Sequence, residues 1–186
     1  MMSEQTPSQT VGPYFAYGLA AQQYHYPHGQ IVDGEIVGEG TDTRIRIVGR
    51  VLDGLGEPIP DALIEFWQAD SEGRYGAERF GGFGRQGTGT DPNGRFVFDT
   101  IKPGAAAGAA PFVTIVVFMR GLLSHVYTRL YFADEEAANA ADPVLATVPA
   151  ERRRTLIASR ETSDGRFQYR FDIHMQGGNE TVFFDL

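Results

Sequence analysis

The chain has 186 residues, of which 42% are hydrophobic and 12% aromatic, a composition that supports a buried core and excludes general disorder. The formal net charge is −8, so a nucleic-acid partner is not expected, because affinity for phosphate backbones comes from clustered Lys and Arg. Cysteine is absent, which excludes disulfides and thiolate metal sites, and since neither a membrane-spanning apolar run nor a secretory signal occurs, a cytoplasmic location is expected.

Apolar and polar residues alternate along several segments, which is typical of half-buried strands. Between Arg44 and Val51, Ile45 and Ile47 share one face while the arginines take the other. Turn residues follow at Asp53-Gly54. The next predicted strand, Ala62 to Ala69, has bulky side chains on both faces, which indicates a central position in a sheet.

Further predicted strands follow, with strong turn residues such as Asp91-Pro92-Asn93-Gly94 between them. They are Arg95 to Ile101, Phe112 to Met119, Val126 to Phe132, Phe167 to Phe171 and Thr181 to Phe184. Short helices are predicted at 134–140 and 149–156. Many short strands with Gly- and Pro-rich connections predict an all-β fold, an antiparallel β-sandwich with long loops and one or two short helices.

The domain organisation is predicted to be simple. No internal repeat or change of composition divides the chain, so residues 1–186 are expected to form one domain. The first 40 residues show little periodicity. They are therefore predicted to form an extended N-terminal arm that packs on a partner subunit.

The histidines give little support for a metal site within this chain. His25 and His28 flank Tyr26-Pro27 and could in principle bind iron or zinc. Pro27, however, prevents a regular helix or strand from fixing their geometry, and no acid lies nearby to orient them, which favours exposed loop residues. His125 and His174 lie at strand ends and are predicted to be structural or exposed. Without a nucleophile elbow, a P-loop or a dinucleotide-binding glycine pattern, the residues alone predict a β domain that lacks a self-contained catalytic centre.

A set of motifs nevertheless resembles a known family. Each is weak alone, but their order and spacing from residue 8 to the C-terminus are specific. They are Ser8-Gln9-Thr10-Val11-Gly12-Pro13-Tyr14-Phe15, Glu65-Phe66-Trp67-Gln68-Ala69-Asp70, Gly73-Arg74-Tyr75, Thr128-Arg129-Leu130-Tyr131-Phe132 and Glu180-Thr181-Val182-Phe183-Phe184-Asp185. On these residues the chain resembles the alpha chains of intradiol ring-cleavage dioxygenases.

The resemblance implies that this chain has lost the family's metal site. Iron-binding members hold Fe3+ with two tyrosines and two histidines, and Tyr75 matches the first tyrosine. The second follows a Lys-Pro-Gly turn, but residues 102–108 contain no tyrosine here, and Phe112 and Thr114 occupy the two histidine positions. A phenyl ring donates no lone pair, so the resemblance implies that the non-haem ferric iron is held by a partner beta chain, not by this chain. Tyr75 is interpreted as a relic or a packing residue.

The resemblance also implies substrate-pocket residues that serve the partner's site. The arm would place Thr10, Gly12, Pro13 and Tyr14 at the pocket mouth, where Gly-Pro gives a stiff backbone and tyrosine a flat face for an aromatic ring. Arg120, at the end of the most apolar strand, would bind the substrate carboxylate. The plainer alternatives are an arm that only buries apolar surface and an ordinary surface arginine. For Arg129, within a strand, a structural ion pair is predicted.

The resulting hypothesis is a subunit of a hetero-oligomeric enzyme. With an iron-bearing beta chain it would cleave protocatechuate or another dihydroxybenzoate with O2 between the hydroxylated carbons, giving 3-carboxy-cis,cis-muconate. A second hypothesis is a non-catalytic β-sandwich that binds ligands or proteins, which explains the missing metal ligands equally well. A third is a self-sufficient dioxygenase with a rebuilt metal site at His25 and His28.

Overall fold

The computed structural model describes residues 17–36, 43–77, 80–163 and 166–185, and within these ranges most of the regular secondary structure is β-strand. The strands are β1 (Arg44–Leu52), β2 (Leu63–Gln68), β3 (Phe83–Gly87), β4 (Arg95–Ile101), β5 (Phe112–Phe118), β6 (Val126–Phe132), β7 (Ile157–Ser163), β8 (Arg166–Arg170) and β9 (Ile173–His174). The helices that follow β6 are α1 (Glu136–Ala141), α2 (Pro143–Thr147) and a 3-10 helix, η1 (Arg153–Leu156). None of the helices in these ranges has the length and apolar character needed to cross a membrane. The cytoplasmic location stays a prediction.

The strands form one mixed sheet in the order β3-β2-β5-β6-β7-β8-β1-β4, with β9 paired to β1. The all-β class is confirmed, and most neighbours are antiparallel, but β6–β7, β1–β8 and β1–β9 are parallel. Parallel neighbours need a long crossover connection. Residues 133–156, which contain α1, α2 and η1, supply that connection between β6 and β7.

The two halves of the sheet fold onto each other around an aromatic core. Phe66 of β2 stacks on Phe98 of β4, with 3.8 Å between ring centroids, and both side chains are fully buried. Ile45 and Ile47 of β1 point into the same core, as the alternation predicts. Each fully buried side chain of this kind contributes roughly 1.5–3 kcal/mol to folding. This core holds the sheet on which the candidate site lies.

Residues 33–36 nearly close the sheet by bridging its two edge strands. The Arg85 amide of β3 donates to the Asp33 carbonyl at 2.9 Å, and the Asp99 amide of β4 donates to the Gly34 carbonyl at 2.9 Å. Gly34 is required at this crossing, since a Cβ would lie 2.6 Å from the Val97 carbonyl oxygen. Unpaired strand edges are thereby covered.

Only part of the predicted arm lies within the described residues. Residues 17–36 pack on the body of their own chain: Ala20 is fully buried against Leu63, and the Gln23 side-chain amide donates to the Gly87 carbonyl at 2.7 Å. Residues 1–16 lie outside the described residues. Packing of the arm on a partner, and the single-domain organisation, stay predictions.

Several local predictions were wrong or incomplete. β3 and β7 were missed, because short polar stretches become strands here through pairing with β2 and β8 rather than through their own propensity. The predicted final strand is reduced to one isolated bridge between Phe184 and Tyr127. The helix predicted at 149–156 is a turn followed by the short η1.

Tyr169 makes the stability of the fold sensitive to alkaline pH. Burial, followed by the hydrogen bond that its hydroxyl donates to Asp134 at 3.0 Å, raises the pKa of Tyr169 to about 12, above the value of about 10 in an unfolded chain. A raised folded-state pKa gives stability that is complete below about pH 10 and is lost as the pH rises toward about 12. We expect Tyr169→Phe to reduce this alkaline loss in urea unfolding measured from pH 8 to pH 11. Tyr26→Phe, at an exposed tyrosine, is the control, and equal losses in all three proteins would contradict the assignment.

Candidate functional site

The residues that match the family's iron ligands lie on the face of the sheet opposite the core. Trp67 of β2 pairs with Thr114 of β5, and Thr114 pairs with Arg129 of β6, so these three residues form a row across three strands. Val113 points the other way and is fully buried. Phe112 is the next residue of β5 on the same side as Thr114. We use the name outer face for five residues: Trp67, Tyr75, Phe112, Thr114 and Arg129.

Tyr75 reaches the outer face from the loop after β2. Its ring stacks on Trp67 with 5.9 Å between centroids and 20° between planes, and both side chains are about two-fifths exposed, at 41% and 42%. Burial raises the pKa of the Tyr75 hydroxyl, while the positive charge of Arg129 lowers it, and the net shift is upward. The phenol is therefore neutral at neutral pH. Metals bind tyrosine as the phenolate, so an ion would have to displace this proton in order to bind Tyr75.

Arg129 occupies the face at which the missing histidines would act. Its guanidinium carbon lies 4.2 Å from the centroid of the Phe112 ring, and its Nη1 donates to the Tyr131 hydroxyl at 3.4 Å. These contacts replace the predicted ion pair with a cation–π contact. The guanidinium is permanently positive, so it would repel a ferric ion placed on the same face.

The outer face does not fit a ferric ion. Its side chains offer a neutral phenol, a threonine hydroxyl, a phenyl ring and a guanidinium, and none of these is a strong anionic or imidazole donor. Throughout the described ranges, no group of three or more His, Cys, Asp or Glu residues has the geometry of a metal site. His25 and His28 lie within those ranges, so the rebuilt metal site of the third hypothesis has no support.

The loop that carries Tyr75 is held in a tight, small-residue environment. Asp70 is buried and its carboxylate accepts from the Glu72 and Arg74 amides at 2.9 and 2.8 Å and from Arg74 Nε at 2.9 Å. Burial alone would raise the pKa of Asp70, but these hydrogen bonds outweigh it and lower the pKa. Gly73, with φ of +80°, approaches Ala105 so closely that a Cβ would lie 2.0 Å from its carbonyl oxygen. The backbone of Gly73 is thus packed closely against the 102–108 segment, in which the resemblance expects a tyrosine.

Arg120 lies far from the row that Trp67, Thr114 and Arg129 form on the outer face. It follows β5 by two residues, whereas Thr114 is near the start of the strand, and six residues of strand span about 20 Å. The Arg120 Nε forms an ion pair with Asp61, whose side chain is only 13% exposed, while that of Arg120 is 61% exposed. Sequence reasoning missed Asp61 because nothing in the Pro58–Asp61 turn marks it as a partner of Arg120. An anion bound by Arg120 would therefore lie away from the outer face of this chain.

The N-terminal segment and Arg120 lie at the same end of the sheet. Leu19 and Tyr24 pack around Leu63 and Phe118, and Phe118 precedes Arg120 by two residues. The Tyr24 ring also contacts Tyr17 edge-on, at 4.7 Å between centroids. Tyr14 is three residues before Tyr17, within about 11 Å along an extended chain.

The remaining predicted pocket residues belong to the first part of the N-terminal arm. Thr10, Gly12, Pro13 and Tyr14 all lie outside the described residues, and their roles stay predictions. The segment that follows them packs at the end of the sheet where Leu63 and Phe118 lie. The remaining histidine of interest, His125, contacts the Tyr127 hydroxyl through Nε2 at 2.8 Å.

Known proteins match the chain over nearly its whole length. A family model described as Dioxygenase matches residues 11–111. The chain is 53% identical to the protocatechuate 3,4-dioxygenase alpha chain of Burkholderia cepacia, over 98% of both chains. It is 43% identical to the alpha chain of Pseudomonas putida, over 98% of this chain and 96% of that one. With the beta chain from Burkholderia cepacia the identity is 31%, over 97% of this chain and 83% of that one.

Solved structures support the same fold at lower identity. An intradiol ring-cleavage dioxygenase from Tetranychus urticae superposes with a TM-score of 0.64 at 17% identity, over 92% of this chain and 94% of the other. The dioxygenase domain of a carbohydrate-binding fusion from Streptomyces sp. SirexAA-E gives 0.61 at 21% identity, over 84% and 94%. The fold, the motifs and the full-length similarity agree. The chain belongs to the intradiol dioxygenase family and resembles its protocatechuate 3,4-dioxygenase alpha chains from end to end.

Proposed function

We propose that the chain is the alpha subunit of a protocatechuate 3,4-dioxygenase and completes the active site of an iron-bearing beta subunit. The observation that carries the proposal is the outer face, where Phe112 and Thr114 stand at the histidine positions and the Arg129 guanidinium covers the Phe112 ring. A family member with this face cannot hold the iron itself. Its contribution must come from other surfaces.

The reaction assigned to the assembled enzyme adds both atoms of O2 to protocatechuate. The bond between the two hydroxylated carbons breaks, and each of these carbons becomes a carboxyl carbon of 3-carboxy-cis,cis-muconate. Non-haem iron, the metal of the family, would be held by the beta subunit. The part of this chain is to bind and orient the substrate and to exclude water from its surroundings.

Arg120 is proposed to bind the substrate carboxylate. A guanidinium suits a carboxylate by charge and by its fork of N–H donors. Asp61 is less exposed and contacts Nε of Arg120, which leaves the terminal nitrogens to face outward. Asp61 is thus proposed as a positioning residue that holds Arg120 at the end of β5 where Leu63 and Phe118 also lie.

The arm is proposed to form the mouth of the partner's pocket through Thr10, Gly12, Pro13 and Tyr14. Two features of the described chain support this. Residues 17–26 are anchored on the body near Leu63 and Phe118, so the preceding residues start from a defined place. That place is also the end of β5 at which Arg120 lies. One surface would then present both the aromatic mouth and the anion-binding group.

The proposal is tested by separating the two subunits. We expect the isolated chain to purify without stoichiometric iron and to show no protocatechuate-dependent O2 uptake. Co-expressed with a protocatechuate 3,4-dioxygenase beta chain, it should give a complex that contains iron by mass spectrometry of metals and consumes one O2 per protocatechuate. The beta chain alone, expected to bind iron but to turn over substrate poorly, is the matched control.

Two results would reject the division of labour. Stoichiometric iron in the isolated chain would mean that its own residues build a metal site. Failure to form a complex, together with a stable chain that binds ligands by itself, would instead favour the non-catalytic binding module.

A further inference from the structure

A polar cavity lies on the side of the molecule formed by η1, β7, β8 and β9, away from the outer face and from Arg120. Its volume is about 230 Å3, and its charged or imidazole-bearing lining residues are Arg154, Arg170, Asp172 and His174. Ile157 and Phe171 supply an apolar floor. We propose that this cavity binds a small oxyanion, either phosphate or a short dicarboxylate. The proposal does not depend on the dioxygenase role.

The first argument is the excess of positive charge. Among the described lining residues, Asp172 is the one acid. Its Oδ2 accepts from Arg50 Nη2 at 2.9 Å and its Oδ1 from the Arg50 amide at 3.0 Å. Arg170 reaches the same Oδ2 only at 3.5 Å. The lining therefore carries two guanidinium groups, Arg154 and Arg170, against one carboxylate that already accepts from Arg50, in a chain whose overall charge is −8.

The second argument is the way in which Arg154 is held. Its Nη1 donates to the Glu151 carbonyl at 3.0 Å and its Nη2 to the Asn179 side-chain oxygen at 3.2 Å. Both partners are neutral, so they orient the guanidinium without cancelling its charge. A guanidinium fixed in this way loses little conformational freedom when an anion binds.

The third argument is the convergence of donors from separate segments. Ser159 of β7 pairs directly with Arg170 of β8. His174 is fixed because its amide donates to the Thr181 hydroxyl at 2.9 Å and its carbonyl accepts from the Thr181 amide at 2.9 Å. Hydroxyl, imidazole and guanidinium groups thus line one small space. Oxyanions are bound by converging donors of these kinds.

The binding constant is measured by calorimetry on the purified full chain. Inorganic phosphate and succinate are titrated separately, at constant ionic strength set with sodium chloride. We expect at least one of them to bind with a Kd of about 1 mM or tighter. Arg154→Gln and Arg170→Gln should each raise that Kd about tenfold, because each removes a charge-assisted hydrogen bond. Asp172→Asn should lower it, because the competing negative charge is removed.

Arg44→Gln is the matched control. Arg44 is exposed and begins β1, whereas β9 pairs with the other end of that strand. The substitution removes the same charge, and the Kd of this variant for each anion should equal that of the unmodified protein. Thermal unfolding in chloride checks that each variant is folded. Absence of binding by both anions would overturn the proposal. Binding that is unchanged in Arg154→Gln, Arg170→Gln and Asp172→Asn would overturn it as well.

Discussion

Replacing Arg120 by glutamine is expected to raise the KM of the assembled enzyme for protocatechuate by a factor of about ten or more. A charge-assisted hydrogen bond to a carboxylate contributes about 1.5–3 kcal/mol, and the lower value corresponds to tenfold in an equilibrium constant. The effect should fall mainly on KM, because the carboxylate is bound similarly in the ground state and the transition state. Steady-state O2 uptake measures both constants.

The substrate itself provides the sharpest control. Catechol has the same reacting hydroxyls without the carboxylate, so its kcat/KM should change little in Arg120→Gln. Equal losses for both substrates would mean that the substitution disturbs the pocket rather than an anion site. Arg95→Gln is the matched protein control, since Arg95 also forms a partly exposed ion pair, with Asp91 at 2.9 Å, and should leave both KM values unchanged.

Asp61 extends the same test. If it holds Arg120 in place, Asp61→Asn should raise the KM for protocatechuate by less than Arg120→Gln does. The effects of the two substitutions should also be non-additive in the double variant, because both act on one interaction. Full additivity would show that Asp61 does not act through Arg120.

Replacing Asp142 by alanine is expected to lower the free energy of unfolding by about 4 kcal/mol. Asp142 is fully buried, and its Oδ1 caps α2 by accepting from the Leu145 amide at 2.8 Å. Its Oδ2 accepts from the Ala110 amide at 2.9 Å, and Oδ1 also accepts from the Tyr131 hydroxyl at 3.2 Å. Removing the carboxylate leaves several buried donors unsatisfied, each at a cost of about 1–3 kcal/mol.

A second variant at Asp142 distinguishes the loss of these hydrogen bonds from the loss of side-chain volume. Asp142→Asn keeps one acceptor oxygen and the shape of the side chain, so its loss should be about half that of the alanine variant. Glu161→Ala, at an exposed position of β7, should change stability by no more than about 0.5 kcal/mol. Urea unfolding monitored by circular dichroism measures all three. Equal losses for Asp142→Asn and Asp142→Ala would mean that the oxygen retained by asparagine contributes nothing, which would contradict the two-oxygen network.

Local pattern was enough to predict the strands whose side chains alternate. β1 and β4 were predicted because their alternation matches a sheet with one buried face, and Ile45 and Phe96 are both buried in the core. The replacement of the family's histidine ligands was also readable, because the resemblance matches Phe112 and Thr114 to those positions and Tyr75 to the first tyrosine. The amino-acid sequence shows directly which side chain stands at each position of a motif.

Contacts between distant segments were not readable in the same way. β7 pairs in parallel with β6 because helices α1, α2 and η1 intervene, and no periodicity within β7 reveals that neighbour. The contact of Arg129 with Phe112 depends on the register between β5 and β6. The ion pair of Arg120 with Asp61 joins residues far apart in the chain.

The amino-acid sequence therefore determined the β class, the family and the loss of the iron ligands, because each depends on residue identity and short-range spacing. Tertiary structure decided which groups each charge contacts: Arg129 lies over Phe112, Asp61 contacts Arg120, and Arg50 and Arg170 contact Asp172. The physical reason is that electrostatic and ring contacts act over a few ångströms in space. Strand pairing and chain crossings, rather than distance along the chain, set those separations.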